Sequence, residues 1–492
     1  MTNEDSPQRT LAGFASETTF EDLPEEVVHQ TKRVILDTIG CAVGGYKSDI
    51  GRLARKLLEE LGGKPESTVI GSGDKTSCTN AAYANSRMAY ALDFDECFLG
   101  NTHLAASAVM AALAVGEREK STGKELIEAV AVGYDVAARI GRSLGSSFDA
   151  KAGTVEARGV SGSSWITFGP IVSSGKILGL NEEQMNHAVG IGGMNSPLPT
   201  RRKVLQYGPV GKPLPHVKYF DQGWAAQVGA TAALCAKLGM TGPTTLLDGP
   251  YGLWRILGYS ECRFDFMTER LGQDWYIMET SFKPYPCCRG LHPTLYLTEK
   301  IINEHRITPD EIESIRAKVN PMNVDGSWLY LSSTAGSAID LQFNLAYCIA
   351  MVVLGTKPGP DWQSLERFND PKVKEIMRLV KLEANEEYFK KMLELQREHL
   401  MMKKRPTSVE IFARGKKFSD SLEHTKGDPW DPTTYISDKE LADKFRTNAI
   451  SFSDASSWRN CVEESIEHIF HTEKTTDLRE LIPHSKSLSL AN

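Results

Sequence analysis

Residues 104–113, LAASAVMAAL, leave little choice of structure. Alanine, leucine and methionine favour the helix, and a helix that is apolar on nearly every side has no face to give to water, so it must be buried. The stretch before it, YALDFDECFLGNTH over 90–103, is acidic and turn-like. Asp93 and Asp95 alternate there with Leu92 and Phe94, so acids and apolar anchors face opposite ways, whether the segment is a helix end or a short extended piece. Asn101 or Thr102 is the expected N-cap. His103 then falls in the first turn, where free N–H groups and the helix dipole attract a carboxylate. The position suits proton transfer beside an anionic substrate, and capping or packing is the plainer role for a histidine there.

A chain of 492 residues with 41% hydrophobic and 24% charged residues can bury more than one core. Its formal charge of −7 is spread along the chain, which gives neither a nucleic-acid footprint nor a membrane patch. No run approaches the roughly 18 uninterrupted apolar residues of a membrane span. The expectation is a soluble, unexported, cytoplasmic protein. Nine cysteines without paired spacing indicate free thiols in a reducing compartment. Cys287-Cys288 lacks CxxC spacing and histidine companions, so no metal centre is expected.

Taken in order, Asp22-Leu23-Pro24 caps and starts a helix whose Val27, Val28, Val34, Ile35 and Ile39 share a face, ending near Gly44-Gly45. A second helix spans 51–61, a short strand 67–71 turns at Gly73-Asp74, and helices follow over 80–90 and 124–141. The second of these, KELIEAVAVGYDVAARIG, has Tyr134 and Asp135 as polar interruptions that need partners. The Gly/Ser-rich segment 141–164 is either a functional loop or a flexible one. Helices resume over 167–180 and 182–195. GIGG at 190–193 has no strand before it and so does not read as a dinucleotide fingerprint. Arg201, Arg202, Lys203, Lys212 and Lys218 concentrate positive charge ahead of a small-residue helix over 223–239, so the Lys218 stem should be partly enclosed.

Composition then shifts. Residues 283–288 are rigid and turn-rich, 291–305 form a helix, 312–319 a strand, 337–354 a helix, and 408–412 with 417–418 a strand pair turning at Gly415. Helical pattern returns at 437–445 and 456–470. The expected architecture is mainly α: a large discontinuous helical domain over 1–270 and 432–492 with a smaller α/β domain over 271–431 inserted between its parts.

Five motifs carry a resemblance: ALDFDE at 91–96 with Thr102-His103, GYDVAARIG at 133–141, FGPIVSSGKILGL at 168–180, GWAAQVGATAALCAKLGMTGP at 223–243 and KPYPCCRGLHP at 283–293. In this order, across nearly the whole chain, they resemble the MmgE/PrpD family. The resemblance implies a helical domain with an α/β lid, a homodimer, a cleft active site without cofactor or metal, and a small carboxylate as substrate. It implies activities of the 2-methylcitrate dehydratase, cis-aconitate decarboxylase or iminodisuccinate epimerase type, hence a lyase or an isomerase.

Carried over by position, the resemblance marks Asp93, His103 and Lys218 as catalytic, and Tyr134 and His292 as cleft residues. His103 is expected to transfer the proton, Asp93 to fix and charge that imidazole, and Lys218 to contact a carboxylate or enediolate. Arg201 or Arg202 is expected to hold a second carboxylate. Two positions depart from the family pattern. Cys97 stands where relatives usually carry a small hydroxyl residue, and is read as filler of the pocket wall. Val160, with Arg158 and Ser161 beside it, stands where they often carry a histidine. A non-catalytic ligand-binding or scaffold protein is the alternative from another class.

Overall fold

The computed structural model describes residues 6–98, 102–145, 148–151, 154–157, 164–197, 204, 212–218, 220–321, 324, 331–397 and 403–485. The chain is mainly helical. Among its helices are α1 (Pro7–Glu17), α2 (Glu25–Gly45), α3 (Asp49–Leu61), α4 (Cys78–Tyr90), α5 (Ala105–Glu119), α6 (Gly123–Leu144), α7 (Phe168–Ile177), α8 (Glu182–Met194) and α9 (Gln222–Lys237). Then come α10 (His292–His305), α11 (Leu345–Val353), α12 (Pro371–Leu379), α13 (Asp438–Ile450) and α14 (Ser456–Phe470). No helix among the described residues is long and apolar enough to cross a membrane.

Two apolar cores organise these elements. The first gathers Leu36 and Ile39 of α2, Val109 and Met110 of α5, Val130 of α6, Ile171 of α7 and Ala230 of α9, and from the far end of the chain Phe445 and Trp458. The second gathers Leu295, Ile315, Tyr347, Val409 and Ile411. Its sheet has the order β6-β5-β3-β4, made of β3 (Ile312–Val319), β4 (Val380–Ala384), β5 (Thr407–Ala413) and β6 (Lys416–Leu422). β3 and β4 run parallel and the other neighbours antiparallel. A separate two-stranded ladder pairs β1 (Cys97–Phe98) with β2 (Thr280–Ser281).

Small residues let the first-core helices approach closely. A Cβ added at Gly190 would stand 2.2 Å from the Pro243 carbonyl oxygen, so this glycine of the GIGG run serves packing inside α8. α5 is buried along 105–116, as its composition requires, and Val109 and Met110 are wholly enclosed. Truncating Met110 to Ala is worth roughly 2–5 kcal/mol at such a site.

Several local expectations are corrected. α2 has Pro24 at its N-cap, and Asp22 instead accepts from the Thr19 amide at 2.8 Å in the turn before it. The helix expected over 337–354 is broken: Ala338–Leu341 is one short piece, and Asn344 caps α11 by accepting from the Tyr347 amide at 3.0 Å. Among described residues of the Gly/Ser segment, Phe148–Lys151 pairs antiparallel with Thr154–Ala157. The parallel strand β4 was not foreseen.

The start of α5 also differs. Thr102 pairs its backbone with Phe98, and Asn101 lies outside the described residues. The free N–H groups of Leu104 and Ala105 both donate to Glu96 Oε1, at 2.6 Å each. A carboxyl eight and nine residues upstream thus does the work expected of a cap side chain. Burial pushes this carboxyl up to about 8; the Asp95 charge adds to the shift and the two N–H donors oppose it.

The folded-state value lies above the ordinary glutamate value near 4.5. The stability it supports is therefore fully present below 4.5 and is lost as pH rises through about 8. Glu96→Gln keeps an acceptor for both amides without a titrating proton. Urea unfolding at pH 5 and pH 8.5 should show the variant gaining on the native chain by roughly 2–4 kcal/mol between the two conditions. A constant difference would refute the assignment.

Candidate active site

Among the described residues, the two buried non-glycine residues with backbone in the left-handed region are Asp93 (φ 52°) and Lys218 (φ 53°). The other non-glycine residues in that region, Lys120, Arg270, Arg306 and Arg414, are exposed. Buried residues held in this conformation cost roughly 1–3 kcal/mol each and persist only where their surroundings over-determine them. Here both belong to one cluster.

The Asp93 carboxylate is its centre. Oδ1 accepts from Lys283 Nζ at 2.9 Å, and lies 3.7 Å from Lys218 Nζ and 3.6 Å from His103 Nε2. The opposite ring nitrogen, His103 Nδ1, lies 3.0 Å from Asp95 Oδ2. Asp95 is therefore the acid that orients the imidazole, and the role expected of Asp93 passes to its neighbour because ammonium groups already claim Asp93. With Asp95 accepting from Nδ1–H, Nε2 is the ring nitrogen that faces Asp93 and is left outside that bond. The Gln222 amide at the start of α9 donates to the His103 carbonyl at 2.7 Å. Tyr90 packs edge-on to the imidazole and face-on to Lys218, whose Nζ is 3.8 Å from its ring centre.

The turn bearing these acids is gripped from outside. The carbonyls of Tyr90, Ala91, Leu92, Asp93 and Phe94 accept in turn from Lys218 (3.2 Å), Gln342 (2.8 Å), Gln363 (2.6 Å), Lys283 (2.9 Å) and Lys444 (2.6 Å). Lys444 of α13 also donates to Asp37 of α2 at 2.6 Å. The site therefore lies where the first core, the second core and the returning C-terminal helices meet.

Burial and charge oppose each other inside the cluster. Burial alone would push the Asp93 carboxyl up, but the charges of Lys218, Lys283 and His103 outweigh it and hold it well below the usual carboxylate range. Burial lowers Lys218 to about 8, with Asp93 and Asp95 only partly restoring it. Lys283 is equally buried, yet its closer contact with Asp93 carries it above the ordinary lysine value. One ammonium is locked in its charged form and the other titrates near neutrality.

Asp93, Asp95 and His103 offer oxygen and nitrogen atoms within 4.8 Å of one another, the one such group among the described residues that could hold a metal. Two ammonium groups on Asp93 make that spot unfavourable for a cation and favourable for an anion. Asp93 Oδ2, Asp95 Oδ1 and Gln222 Oε1 have no hydrogen-bond partner among the described residues. The cluster thus presents acceptors as well as cations, the combination that would receive a carboxylate and a proton-bearing group.

The structure brings Asp93 and His103 of the 90–103 stretch together with Lys218 from a distant part of the chain. It does not place Tyr134 or His292 among them. The Tyr134 hydroxyl lies 3.4 Å from Glu96 and 2.9 Å from Thr280 Oγ1, behind the cluster. His292 is fixed between the Cys287 carbonyl at 3.1 Å and Arg289 at 3.2 Å, and burial, with Arg289 and Lys283 nearby, holds its imidazole well below the ordinary value. Cys97 is buried on β1, and burial pushes its thiol up to about 12, which leaves it a neutral wall residue. Arg158, Val160, Arg201 and Arg202 lie outside the described residues. Sequence reasoning missed Lys283 and the orienting role of Asp95. Lys283 opens KPYPCCRGLHP, where the prolines and cysteines drew attention instead.

Known proteins match the chain along both of its halves. The model of the MmgE/PrpD N-terminal domain matches residues 9–263, and that of the MmgE/PrpD C-terminal domain matches 285–467. Human cis-aconitate decarboxylase is 24% identical over 374 residues, covering 73% of each chain. Cis-aconitate decarboxylase of Aspergillus terreus strain NIH 2624 / FGSC A1156 is 25% identical over 430 residues, covering 77% of this chain and 78% of that protein. The mouse cis-aconitate decarboxylase is 23% identical over 394 residues, with 77% and 76% covered. Matched along both halves, the chain belongs to the MmgE/PrpD family.

Proposed function

We propose that the protein is a cofactor-independent lyase acting on a small di- or tricarboxylic acid, with decarboxylation as the leading reaction and dehydration as its close variant. The observation that carries this reading is the buried meeting of an oriented imidazole with two ammonium groups around Asp93. The decarboxylases among its relatives favour loss of CO2 over loss of water.

In decarboxylation the bond between the reacting carbon and the leaving carboxylate breaks, and its electron pair spreads into a neighbouring carboxylate as an enediolate. The Lys218 and Lys283 ammoniums stabilise the charge that develops on those oxygens. His103, held through Nδ1 by Asp95, delivers the Nε2 proton to the carbon as CO2 departs, and solvent restores the proton. Dehydration would use the same imidazole to remove a proton beside a carboxylate, with the hydroxyl leaving as water. Epimerisation of a small dicarboxylate would end with return of the proton to the opposite face. Product analysis separates the three: CO2 release, alkene formation, or solvent deuterium uptake without net change.

His103→Ala should lower turnover about 10²–10⁴-fold, the usual contribution of a positioned proton donor, and a variant with native turnover would overturn the assignment. Lys218 acts as its ammonium, the acid form, so kcat/KM should be high below about 8 and fall above it. Lys218→Arg should move that alkaline limb to higher pH. Glu96 also titrates at about 8, so persistence of the limb in Glu96→Gln checks that Lys218 is its source.

A further inference from the structure

Gln342 and Gln363 adjoin Leu341 and Trp362 of the second core, and their side-chain amides bond to backbone and to each other. Gln342 stands in the break before α11, and Gln363 ends the short turn Pro360–Gln363. Gln342 Nε2 donates to Ala91 O at 2.8 Å and to Gln363 Oε1 at 2.7 Å. Gln363 Nε2 donates to Leu92 O at 2.6 Å and Pro286 O at 3.3 Å. The backbone carbonyl of Gln342 accepts from the Cys288 amide at 2.9 Å. The two glutamines therefore bridge the turn that carries Asp93 and the turn that carries Lys283.

We propose that Gln342 and Gln363 are positioning residues of the reaction: by clamping these two turns they hold Asp93 in its left-handed conformation, against Lys283 and within reach of Lys218 and His103. The inference rests on the lyase reading above. A left-handed aspartate reverts to ordinary backbone once its restraints are removed, since L side chains disfavour that region. Besides its own N–H bond to the Tyr90 carbonyl at 3.3 Å, the side-chain restraints nearest to it on the N-terminal side are these two amides. Amide donors to consecutive carbonyls fix direction as well as distance, which a packed apolar contact would not.

Loss of the clamp has a signature of its own. Lys218 is faced by Asp93 and Asp95 from the clamped turn, by Lys283 and Cys288 from the neighbouring one, and by the Tyr90 ring. The Asp93 charge holds the ammonium in its acid form against burial, so an Asp93 that swings away lets Lys218 lose its proton at lower pH. Gln363→Leu and Gln342→Leu, similar in volume, should each lower kcat about 10–100-fold, as misplacement of a reacting group does, with KM within about threefold. In both, the alkaline limb of kcat/KM should move toward acid pH. The double variant should be little worse than the worse single one, because each amide holds the other.

Steady-state kinetics across pH, with Tm measured on the same samples, tests this. A lower Tm with native kcat and an unmoved limb would show a merely structural pair and overturn the proposal, as would a raised KM at native kcat. His103→Ala measured in parallel keeps the two readings apart. Native turnover in that variant removes the catalytic reading of His103, whereas an inactive His103→Ala beside unaffected glutamine variants removes only the clamp.

Discussion

Five consecutive backbone carbonyls, from Tyr90 to Phe94, each accept a hydrogen bond from a side chain distant in sequence, and the site depends on this grip. A peptide segment buried between two cores must find partners for its polar groups or forfeit roughly 1–3 kcal/mol for each one left unpaired. A regular helix would have supplied them internally. Here α4 ends at Tyr90, the chain turns through a left-handed Asp93, and lysines and glutamines from elsewhere complete the bonding. Two of these donors, Lys283 and Lys218, also face the Asp93 carboxylate, so the groups that satisfy the backbone also help to build the site.

Charge balance follows from the same arrangement. Asp93 is shared by Lys283 at hydrogen-bond distance and Lys218 at 3.7 Å, and less than an ångström of difference separates a lysine locked in its charged form from one lowered to about 8. Next in the chain, Asp95 serves the imidazole, and Glu96 holds the start of α5 while burial raises it to about 8. Three acids within four residues thus have three tasks, separated by environment rather than by residue type.

Much of the helical body was legible in the sequence because its signals are local. Alanine-rich runs predicted buried α5 and α9, small residues predicted a helix at α4, Gly62 ended α3, and the GIGG run lacked the preceding strand of a nucleotide loop. The strands of the second core were partly readable, as alternating patterns at 312–319 and 408–412. β4 was not, since its register is set by a parallel neighbour more than sixty residues away. The break at Asn344 was hidden because an apolar run across it looks helical until the Gln342 contacts are known.

The sequence by itself determined that this is a mainly helical chain with a small α/β portion, and that an acid-rich turn precedes a buried helix with His103 at its threshold. Motif order also marked Lys218. Only tertiary structure decided that Asp95 rather than Asp93 orients the imidazole, that Lys283 completes the cluster, and that Tyr134 and His292 stand back from it. Pattern and propensity act over one or two turns of chain, whereas the partner of a buried charge is chosen by whichever group the packing of distant segments brings within about 4 Å.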